Sequence, residues 1–239
     1  MQHPPLANNH ISVDCVLMGF DGERLNVLLI HRSAEENGDE YHDMKLPGSL
    51  IYQDEDLDEA ATRVLHELTG LKKVSMMQFK AFGSKNRTSD PRDVRWLERA
   101  QKAHVERIVT IAYLALVKID RADDSLLAEH NAEWVPLENV GPLAFDHNLI
   151  LKEAVDYIRR EADGSPAILF ELLPRKFTAL QLRTLFEVVY DKKTDVRNFH
   201  KKIASMPYIV ALDERERGVA HRAARYYRFD KKIYNRNRR

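Results

Sequence analysis

The sequence has a single cysteine and no apolar run long enough to cross a membrane. A lone cysteine excludes an internal disulfide, and the apolar neighbours of Cys15 predict a small buried side chain rather than a nucleophile. The N-terminus, MQHPPLANNH, lacks the apolar core of a signal peptide. These absences predict a soluble, unsecreted protein that is cytoplasmic by default.

The net charge of the chain is also zero, but only because an acidic N-terminal part and a basic C-terminal part cancel each other. Residues 1–165 contain 19 basic and 29 acidic residues, whereas residues 166–239 contain 18 basic and 8 acidic residues. Such asymmetry predicts a surface for a polyanion, nucleic acid above all, at the C-terminal end. The alternative is a basic part that docks on the acidic part of the same or a neighbouring chain. The length suffices for two modest domains, each with its own core.

Apolar, β-branched-rich segments predict a sheet in the first part of the chain. Two of them, Ser12–Phe20 and Leu25–His31, flank Asp21-Gly22 and predict a hairpin. Residues 33–43 are charged and predict a loop. The other predicted strands are Lys73–Gly83, Arg107–Lys118 and the short NAEWVPL segment around Trp134.

A long charged segment, Ser84–Glu106, separates two of these strands and contains a predicted helix, Val94–Ala103. A connection of this length is a ligand lid, a dimer contact or a spacer, and the sequence does not choose among them. A further amphipathic helix is predicted at His147–Glu161. Asp163-Gly-Ser-Pro then predicts a boundary between a domain of residues 1–163 and one of residues 164–239.

The most informative stretch, Leu46–Leu71, reads LPGSLIYQDEDLDEAATRVLHELTGL, a loop followed by a helix that ends at a glycine. On that helix an apolar stripe consists of Leu57, Ala60, Ala61, Val64, Leu65 and Leu68. Arg63 and Glu67 lie on the polar side, where they would form an ordinary i,i+4 pair if they had no binding role.

This stretch resembles the Nudix box, the signature of the Nudix hydrolases. The positions that match are Ser49 for the box glycine, Glu55, Arg63, Leu65, Glu67, Gly70 and Leu71. Val64 and Leu68 stand where the family has two carboxylates that help to hold a divalent cation. The resemblance therefore implies a Nudix α/β/α sandwich without catalytic residues, bound metal or other cofactor.

The C-terminal part has the element order of a winged helix-turn-helix. Thr178-Ala-Leu-Gln181 is a capping box that opens one helix, and a second helix is predicted at Asp195–Met206. Strands are predicted at Tyr208–Leu212 and Ala223–Phe229. The inward stripe of the second helix is predicted to be Val196, Phe199, Ile203 and Met206.

The side chains on the opposite face of that helix suit DNA. Arg197 and Asn198 are the candidates for reading base edges, since arginine pairs with guanine and asparagine with adenine. Contacts to phosphates are predicted for His200, Lys201 and Lys202 on the helix. The wing arginines are predicted to contact the DNA backbone or to enter a minor groove; they are Arg215, Arg217, Arg222 and Arg225. The tail KKIYNRNRR adds non-specific attraction. Taken singly, each basic residue is as well explained as a solvated surface charge.

Nearly the whole chain resembles the Nudix-related transcriptional regulators of the NrtR and AraR types. The resemblance rests on RVLHELTGL, HNAEW, FDH, DVRNFHKKIASM and RYYRFD. It implies a homodimeric repressor that binds a palindromic operator and is controlled by a small effector, and the box with HNAEW and FDH favours the AraR type. The implied effector is then a pentose such as L-arabinose rather than ADP-ribose, in keeping with control of carbohydrate metabolism. The candidate ligand-binding residues are Arg32, Glu55, Arg63, Glu67, Arg87, Asp146 and His147.

Two other readings stay open at this point. One is a Nudix hydrolase that cleaves ADP-ribose-like nucleoside diphosphate derivatives and carries an accessory basic domain, against which Val64 and Leu68 count heavily. The other is an RNA-binding sensor, which is weaker because the basic part lacks an aromatic platform for single strands.

Overall fold

A computed structural model describes residues 7–36, 39–101, 104, 107–218 and 223–237. The chain is mixed α/β and divides into two compact units. The second unit takes Gly19–Leu25, Leu116–Ile119 and the chain from Tyr157 onward, and the first takes the rest. None of the helices in the described ranges is long and apolar enough to span a membrane.

The first unit is built on a seven-stranded sheet. Its strands are β1 (Ala7–Phe20), β2 (Leu25–Glu36), β3 (Asp39–Lys45), β4 (Gly48–Tyr52), β5 (Met77–Phe82), β6 (Val109–Lys118) and β7 (Ala132–Pro136). The main order is β3-β2-β1-β6-β5, with β4 paired to β1 and β7 paired to β2. The middle strand, β1, is buried on both faces from Cys15 to Met18, which confirms the buried position predicted for the cysteine.

The helices of this part of the chain are α1 (Leu57–Thr69), α2 (Pro91–Gln101), the short α3 (Asp124–Glu129) and α4 (His147–Gly164). α1 begins with a capping box, in which Asp56 accepts from the backbone of Glu59 and Glu59 accepts from the backbone of Asp56. It ends at Gly70, whose φ of 72° favours glycine. A Cβ at that position would also lie 2.6 Å from the side chain of Leu126. The loop-helix-glycine pattern thus folds as the sequence predicts.

The second unit has a three-stranded sheet and three helices of its own. They are β8 (Phe177–Thr178), α5 (Ala179–Tyr190), α6 (Val196–Ala204), β9 (Ile209–Arg215), β10 (Arg225–Phe229) and α7 (Lys231–Asn237), with the sheet order β8-β10-β9. The predicted capping box at Thr178 and Gln181 is confirmed. Phe170, in a 3-10 turn before the sheet, stacks on Phe229 with ring centroids 4.3 Å apart. Helix, helix and hairpin in this order form the predicted winged helix.

Two local predictions are wrong. Residues 33–43 are not a loop, because β2 continues to Glu36 and β3 returns from Asp39 in antiparallel register. β3 is an edge strand, where charged residues are common, so charge did not signal a loop. Val196 is 52% exposed rather than inward, because the first turn of α6 precedes the turn that buries Phe199 and Ile203.

The chain from Asp163 to Pro166 does not interrupt the structure as its composition suggests. α4 runs on to Gly164, and the division into compact units falls within it, between Asp156 and Tyr157. The domain limits of residues 1–163 and 164–239 stay a prediction.

Candidate ligand pocket and DNA-binding surface

A cavity that is open to solvent lies in the first unit. β1, β4, the segment between β5 and β6, and the start of α4 contribute to its wall. The lining residues are Ser12, Asp14, Lys45, Gly48, Ser49, Leu50, Arg87, Thr88, Trp96, Leu97, Ile108, Phe145 and His147. Its wall combines aromatic and aliphatic side chains with a few polar groups, as the walls of ligand sites do.

Asp14 is the buried anion at the centre of this wall, with only 3% of its surface exposed. Arg87 donates to it from Nη2 at 2.7 Å, and Nε2 of His147 lies 3.4 Å from its other oxygen. Burial acts to raise the pKa of Asp14, but the interactions with His147 and Arg87 outweigh burial and hold that pKa far below its ordinary value. Asp14 is therefore a permanent carboxylate held by two partners.

The orientation of His147 follows from a main-chain contact. Its Nδ1 accepts a hydrogen bond from the backbone N–H of Leu46 at 2.9 Å. A ring nitrogen that accepts carries no proton, so the proton of the neutral ring lies on Nε2, facing Asp14. The loop that opens the Nudix-like box is thereby tied to the start of α4.

Gly48 gives Asp14 the room that it needs. The two residues are paired in the β1–β4 register, and a Cβ at position 48 would lie 1.9 Å from Oδ1 of Asp14. That distance is far inside van der Waals contact, so any larger residue would displace the carboxylate. The sequence analysis placed Ser49 at the box glycine, and it is the neighbouring Gly48 that the packing requires.

Arg87 joins the segment between β5 and β6 to the rest of the pocket. Besides Asp14, its guanidinium donates from Nη1 to Asp146. Burial raises the pKa of Asp146, and the positive charge of Arg87 opposes this. The long charged segment is thus part of the pocket wall, through Arg87, Trp96 and Leu97, and among the three roles left open by the sequence this favours one connected with ligand.

A second buried arginine anchors the same segment. Arg32 pairs with Asp43 across the β2–β3 ladder and with Asp93 of α2 at 2.7 Å. Asp93 in turn accepts from the backbone N–H of Phe145 at 2.8 Å. The guanidinium lies 5.4 Å from the ring centre of Trp96, so it stabilises the position of this ring in the pocket wall.

Lys45 is a third buried cation and lines the pocket directly. Its ammonium donates to the carbonyl oxygens of Leu46 at 3.2 Å and Gly48 at 3.0 Å, and it lies 5.5 Å from the ring centre of Trp96. Burial lowers the pKa of Lys45 to about 8, and the nearby Asp14 limits the effect. This lysine fixes the main chain of the box loop.

The box residues Glu55, Arg63 and Glu67 form a separate cluster on α1. Arg63 donates to both carboxylates, to the carbonyl oxygen of Leu50, and stacks 3.9 Å from the ring centre of Tyr52. Burial acts to raise the pKa of Glu55, but the hydrogen bonds from Arg63 and from the backbone of Tyr52 outweigh burial and keep that pKa below its ordinary value. The cluster contacts the pocket wall through the carbonyl oxygen of Leu50.

The donors around α1 do not fit a divalent cation. Val64 is fully buried among apolar side chains, and Leu68 is half-buried. Glu55 is engaged by Arg63 and by the backbone N–H of Tyr52, and the exposed Glu67 is paired with Arg63 as well. Hard cations take several oxygen ligands, and aliphatic carbons supply none. Nor do the described residues contain a group of three or more His, Cys, Asp or Glu placed to hold a metal.

The seven residues predicted to bind ligand therefore fall into three groups. Arg87 and His147 line the cavity, and Asp146 and Arg32 contact residues that do. In the α1 cluster, Arg63 contacts the lining residue Leu50, whereas Glu55 and Glu67 are not among the lining residues. The sequence analysis missed Ser12, Asp14, Lys45, Trp96 and Phe145. The available signal was a charged residue, Asp14, within an otherwise apolar strand.

In the second unit, α6 presents a polar face to solvent. Arg197, Asn198, His200 and Lys201 are all exposed. Asp195 caps the helix by accepting from the backbone N–H of Asn198 at 2.9 Å. Lys202 is exposed as well, but its ammonium lies 4.3 Å from the ring centre of Phe186 on α5. Partial burial lowers the pKa of Lys202, and its predicted contact with phosphate stays a prediction.

The wing consists of β9, β10 and the turn between them. Arg217 and Arg225 are exposed, and Arg215 donates to the carbonyl oxygen of Ala223 at 3.2 Å. Arg222 lies outside the described residues, as do the last two arginines of the tail. Part of that tail forms α7, where Tyr234 is buried against Tyr208 and Phe229 rather than extended.

Comparison with known protein families matches residues 8–157 to the NUDIX domain. The chain belongs to the Nudix family. Residues 169–229 match the NrtR DNA-binding winged helix domain, so this Nudix protein has the two-domain composition of the NrtR regulators, as the sequence resemblance predicts. A comparison with curated protein sequences found no match.

Solved structures of known proteins are similar to most of this chain. The crystal structure of Shewanella oneidensis NrtR is 26% identical, with a TM-score of 0.66 over 92% of this chain and 94% of that one. The structure of the same protein complexed with a 27mer DNA is 24% identical, with a TM-score of 0.68 over 94% of this chain and 95% of that one. A mutT/nudix family protein from Listeria innocua is 25% identical, with a TM-score of 0.51 over 68% of this Nudix protein and all of its own chain, 100%.

Proposed function

We propose that this Nudix protein is a DNA-binding transcriptional repressor controlled by a small sugar-containing ligand. The observation that carries the proposal is the combination of two sites on one chain. α1 has apolar side chains at Val64 and Leu68, where hydrolysis would need carboxylates, while a separate polar pocket is retained. The winged helix meanwhile exposes Arg197 and Asn198 at the start of its second helix.

The charges in the pocket favour a neutral sugar, of the pentose class, over ADP-ribose. Arg87 is matched by Asp14 and Asp146, and Arg32 by Asp43 and Asp93. Lys45 donates to two main-chain carbonyls. A pyrophosphate needs cations that are available to it, whereas sugar hydroxyls bind to paired charges and to an aromatic wall such as Trp96 and Phe145.

Control of DNA binding by this pocket requires a homodimer on a two-fold symmetric operator. Two recognition helices read successive major grooves when they are about 34–36 Å apart, one turn of DNA. A ligand releases the operator only if it binds better to a dimer arrangement with a different spacing. Operator release, rather than simple occupancy, is therefore the property to measure.

The test is fluorescence anisotropy of the purified full-length protein on DNA from upstream of its own gene, against random DNA of equal length. Each titration is repeated with a panel of pentoses that includes L-arabinose, and with ADP-ribose. We expect sequence-preferring binding that one pentose abolishes. Release by ADP-ribose alone would overturn the pentose assignment and keep the regulator.

The competing function is a Nudix hydrolase with an accessory basic domain, and one observation favours it, the retention of Glu55 and Glu67 on α1. Incubation with ADP-ribose and magnesium, followed by chromatography of the products, separates the two. We expect no cleavage above a protein-free control. Turnover together with equal affinity for specific and random DNA would replace the proposed function with the hydrolase.

A further inference from the structure

Three polar atoms around the pocket are buried without a hydrogen-bond partner in the part of the chain that the structure describes. They are Oγ of Ser12, Nε of Arg87 and Oδ2 of Asp146. Ser12 and Arg87 both line the cavity, and each has only 6% of its surface exposed. A buried polar atom without a partner destabilises the folded protein, so three around one cavity indicate groups that a ligand completes.

The fold brings these three residues to one side of the pocket. Ser12 and Asp14 are two residues apart on β1, and residues with this spacing face the same side of a strand. Asp14 is joined to Arg87, and Arg87 to Asp146. Ser12, Arg87 and Asp146, which we name the orphan triad, therefore surround a single region next to the Asp14 carboxylate.

The hydrogen-bonding capacity of the orphan triad identifies the ligand group. Nε of Arg87 can only donate, Oδ2 of ionised Asp146 can only accept, and the serine hydroxyl does both. A phosphate has acceptors only and would repel the unpartnered oxygen of Asp146. Two neighbouring hydroxyl groups supply donors and acceptors together, and thus satisfy all three atoms.

We propose that the orphan triad is the subsite that reads two neighbouring ring hydroxyls of a pentose. This inference rests on the proposed function, because it names the part of the ligand that the pocket recognises. The diol belongs either to a free pentose or to a ribose within a nucleotide, and separate arms of the experiment distinguish these sources.

Two substitutions remove one orphan atom each and keep the buried arginine paired. Ser12→Ala deletes the hydroxyl. Asp146→Asn keeps an oxygen for Nη1 of Arg87 and replaces the acceptor Oδ2 with an amide donor. Ser75→Ala is the matched control, since Ser75 is exposed in the same unit and outside the cavity. Arg87 itself is unsuitable, because its removal would leave two buried carboxylates without their cation.

Isothermal titration calorimetry on the full-length proteins measures binding of L-arabinose, its monodeoxy analogues and ADP-ribose. For the ligand that binds the wild type, we expect Ser12→Ala and Asp146→Asn to weaken affinity by about 10- to 100-fold and Ser75→Ala to change it less than 2-fold. Ser12→Ala and wild type should bind with equal affinity the monodeoxy analogue that lacks the hydroxyl contacted by Ser12, since that hydrogen bond is absent in both complexes. Thermal unfolding is recorded for each variant to show that the folded state persists.

The outcomes separate the two proposals. If the wild type binds neither ADP-ribose nor any pentose of the panel, the ligand class of the proposed function fails and the diol subsite fails with it. If the wild type binds one of them and the folded Ser12→Ala and Asp146→Asn variants bind it as tightly, only the diol subsite is overturned. Should a variant unfold, the monodeoxy analogues on the wild type decide, because equal affinity for all of them contradicts a diol subsite.

Discussion

The contact between Gly48 and Asp14 shows how one residue without a side chain sets the geometry of a charged site. Asp14 holds Arg87, and Arg87 holds the segment that contributes Trp96 to the wall. A displaced Asp14 would therefore change a polar network as well as one contact.

Gly48→Ala is predicted to destabilise the protein by about 1–3 kcal/mol and to abolish ligand binding, because its Cβ would overlap the Asp14 carboxylate. Gly141→Ala is the control, since a Cβ there meets no atom within 4 Å. Denaturant titration and calorimetry measure the two effects. Equal stability of both alanine variants would show that the strands adjust without cost.

Lys45→Met tests whether burial lowers the pKa of the Lys45 ammonium, through the pH dependence of the unfolding free energy. The pKa of Lys45 is about 8 in the folded protein, against an ordinary 10.5. Between these values the unfolded chain binds the extra proton, so raising the pH stabilises the folded wild type relative to the methionine variant. We expect the difference in unfolding free energy to shift by on the order of 3 kcal/mol between pH 7 and pH 11. The two tryptophans, Trp96 and Trp134, report this transition by fluorescence, and a difference independent of pH would contradict the prediction.

Little of the pocket could be predicted at the level of residues. The sequence suggested Arg87 and His147 because they are polar and near motifs, but Ser12 and Leu50 become neighbours only when β1 and β4 pair. Such contacts depend on strand register, which local patterns leave open.

At the scale of elements, α1 retains the shape of the Nudix box with a different inner surface. Val64 is completely buried, whereas Leu68 is half-buried at the end of the same helix. A carboxylate introduced at position 64 would therefore be buried, whereas one introduced at position 68 could reach solvent.

Val64→Glu is predicted to destabilise the protein by several kcal/mol, since it buries a carboxylate among apolar side chains. Leu68→Glu should cost about 1 kcal/mol or less, because the new side chain can reach water. Thermal unfolding followed by circular dichroism compares them. A Val64→Glu protein as stable as wild type would indicate that the helix can turn to expose position 64.

The recognition helix offers a matched pair of cations with different surroundings. Arg197→Ala is predicted to lower affinity for specific DNA by about 1–3 kcal/mol and to relax preference at one base pair. Lys202→Ala should mainly reduce stability, by about 0.5–1 kcal/mol, because its ammonium packs on Phe186. Anisotropy on operator variants and thermal unfolding provide the two readouts. Equal losses of DNA affinity would show that Lys202 leaves the ring to reach DNA.

Elements were more predictable than residues, for a physical reason. Helices α1, α5 and α6 are marked by caps and by apolar periodicity, both of which are local. The strand at residues 39–45 was not predicted, because its charged composition favours a loop and its backbone hydrogen bonds to β2 stabilise it as a strand. α7 was taken for a basic tail, yet Tyr234 packs into an aromatic cluster that the sequence order does not reveal.

For the whole molecule, the uneven charge predicts a strong dependence of DNA binding on salt. Each neutralised phosphate contributes a slope of about −0.9 in log affinity against log salt. We predict that Arg225→Ala, an exposed wing residue, reduces the magnitude of the slope by about 1 while leaving base preference unchanged. Anisotropy titrations from low to moderate salt measure this. A changed base preference would instead place Arg225 at a base edge.

The domain order could be predicted from the sequence because each domain has its own local signature. The effector could not, since the polar atoms that select it come from β1, the segment after β5 and the start of α4. The spacing of the operator half-sites depends on a second copy of the chain and on DNA, so it could not be predicted from the sequence of one chain.

The burial of Cys15 has a practical consequence for measuring that spacing. Burial raises the pKa of its thiol, so the chain's only native cysteine resists alkylating reagents. A cysteine introduced at the exposed Val196 would then be the single site for a nitroxide spin label on each chain. Electron paramagnetic resonance of the proposed dimer would report the distance between recognition helices directly, with and without ligand, and without any cysteine-free background having to be engineered.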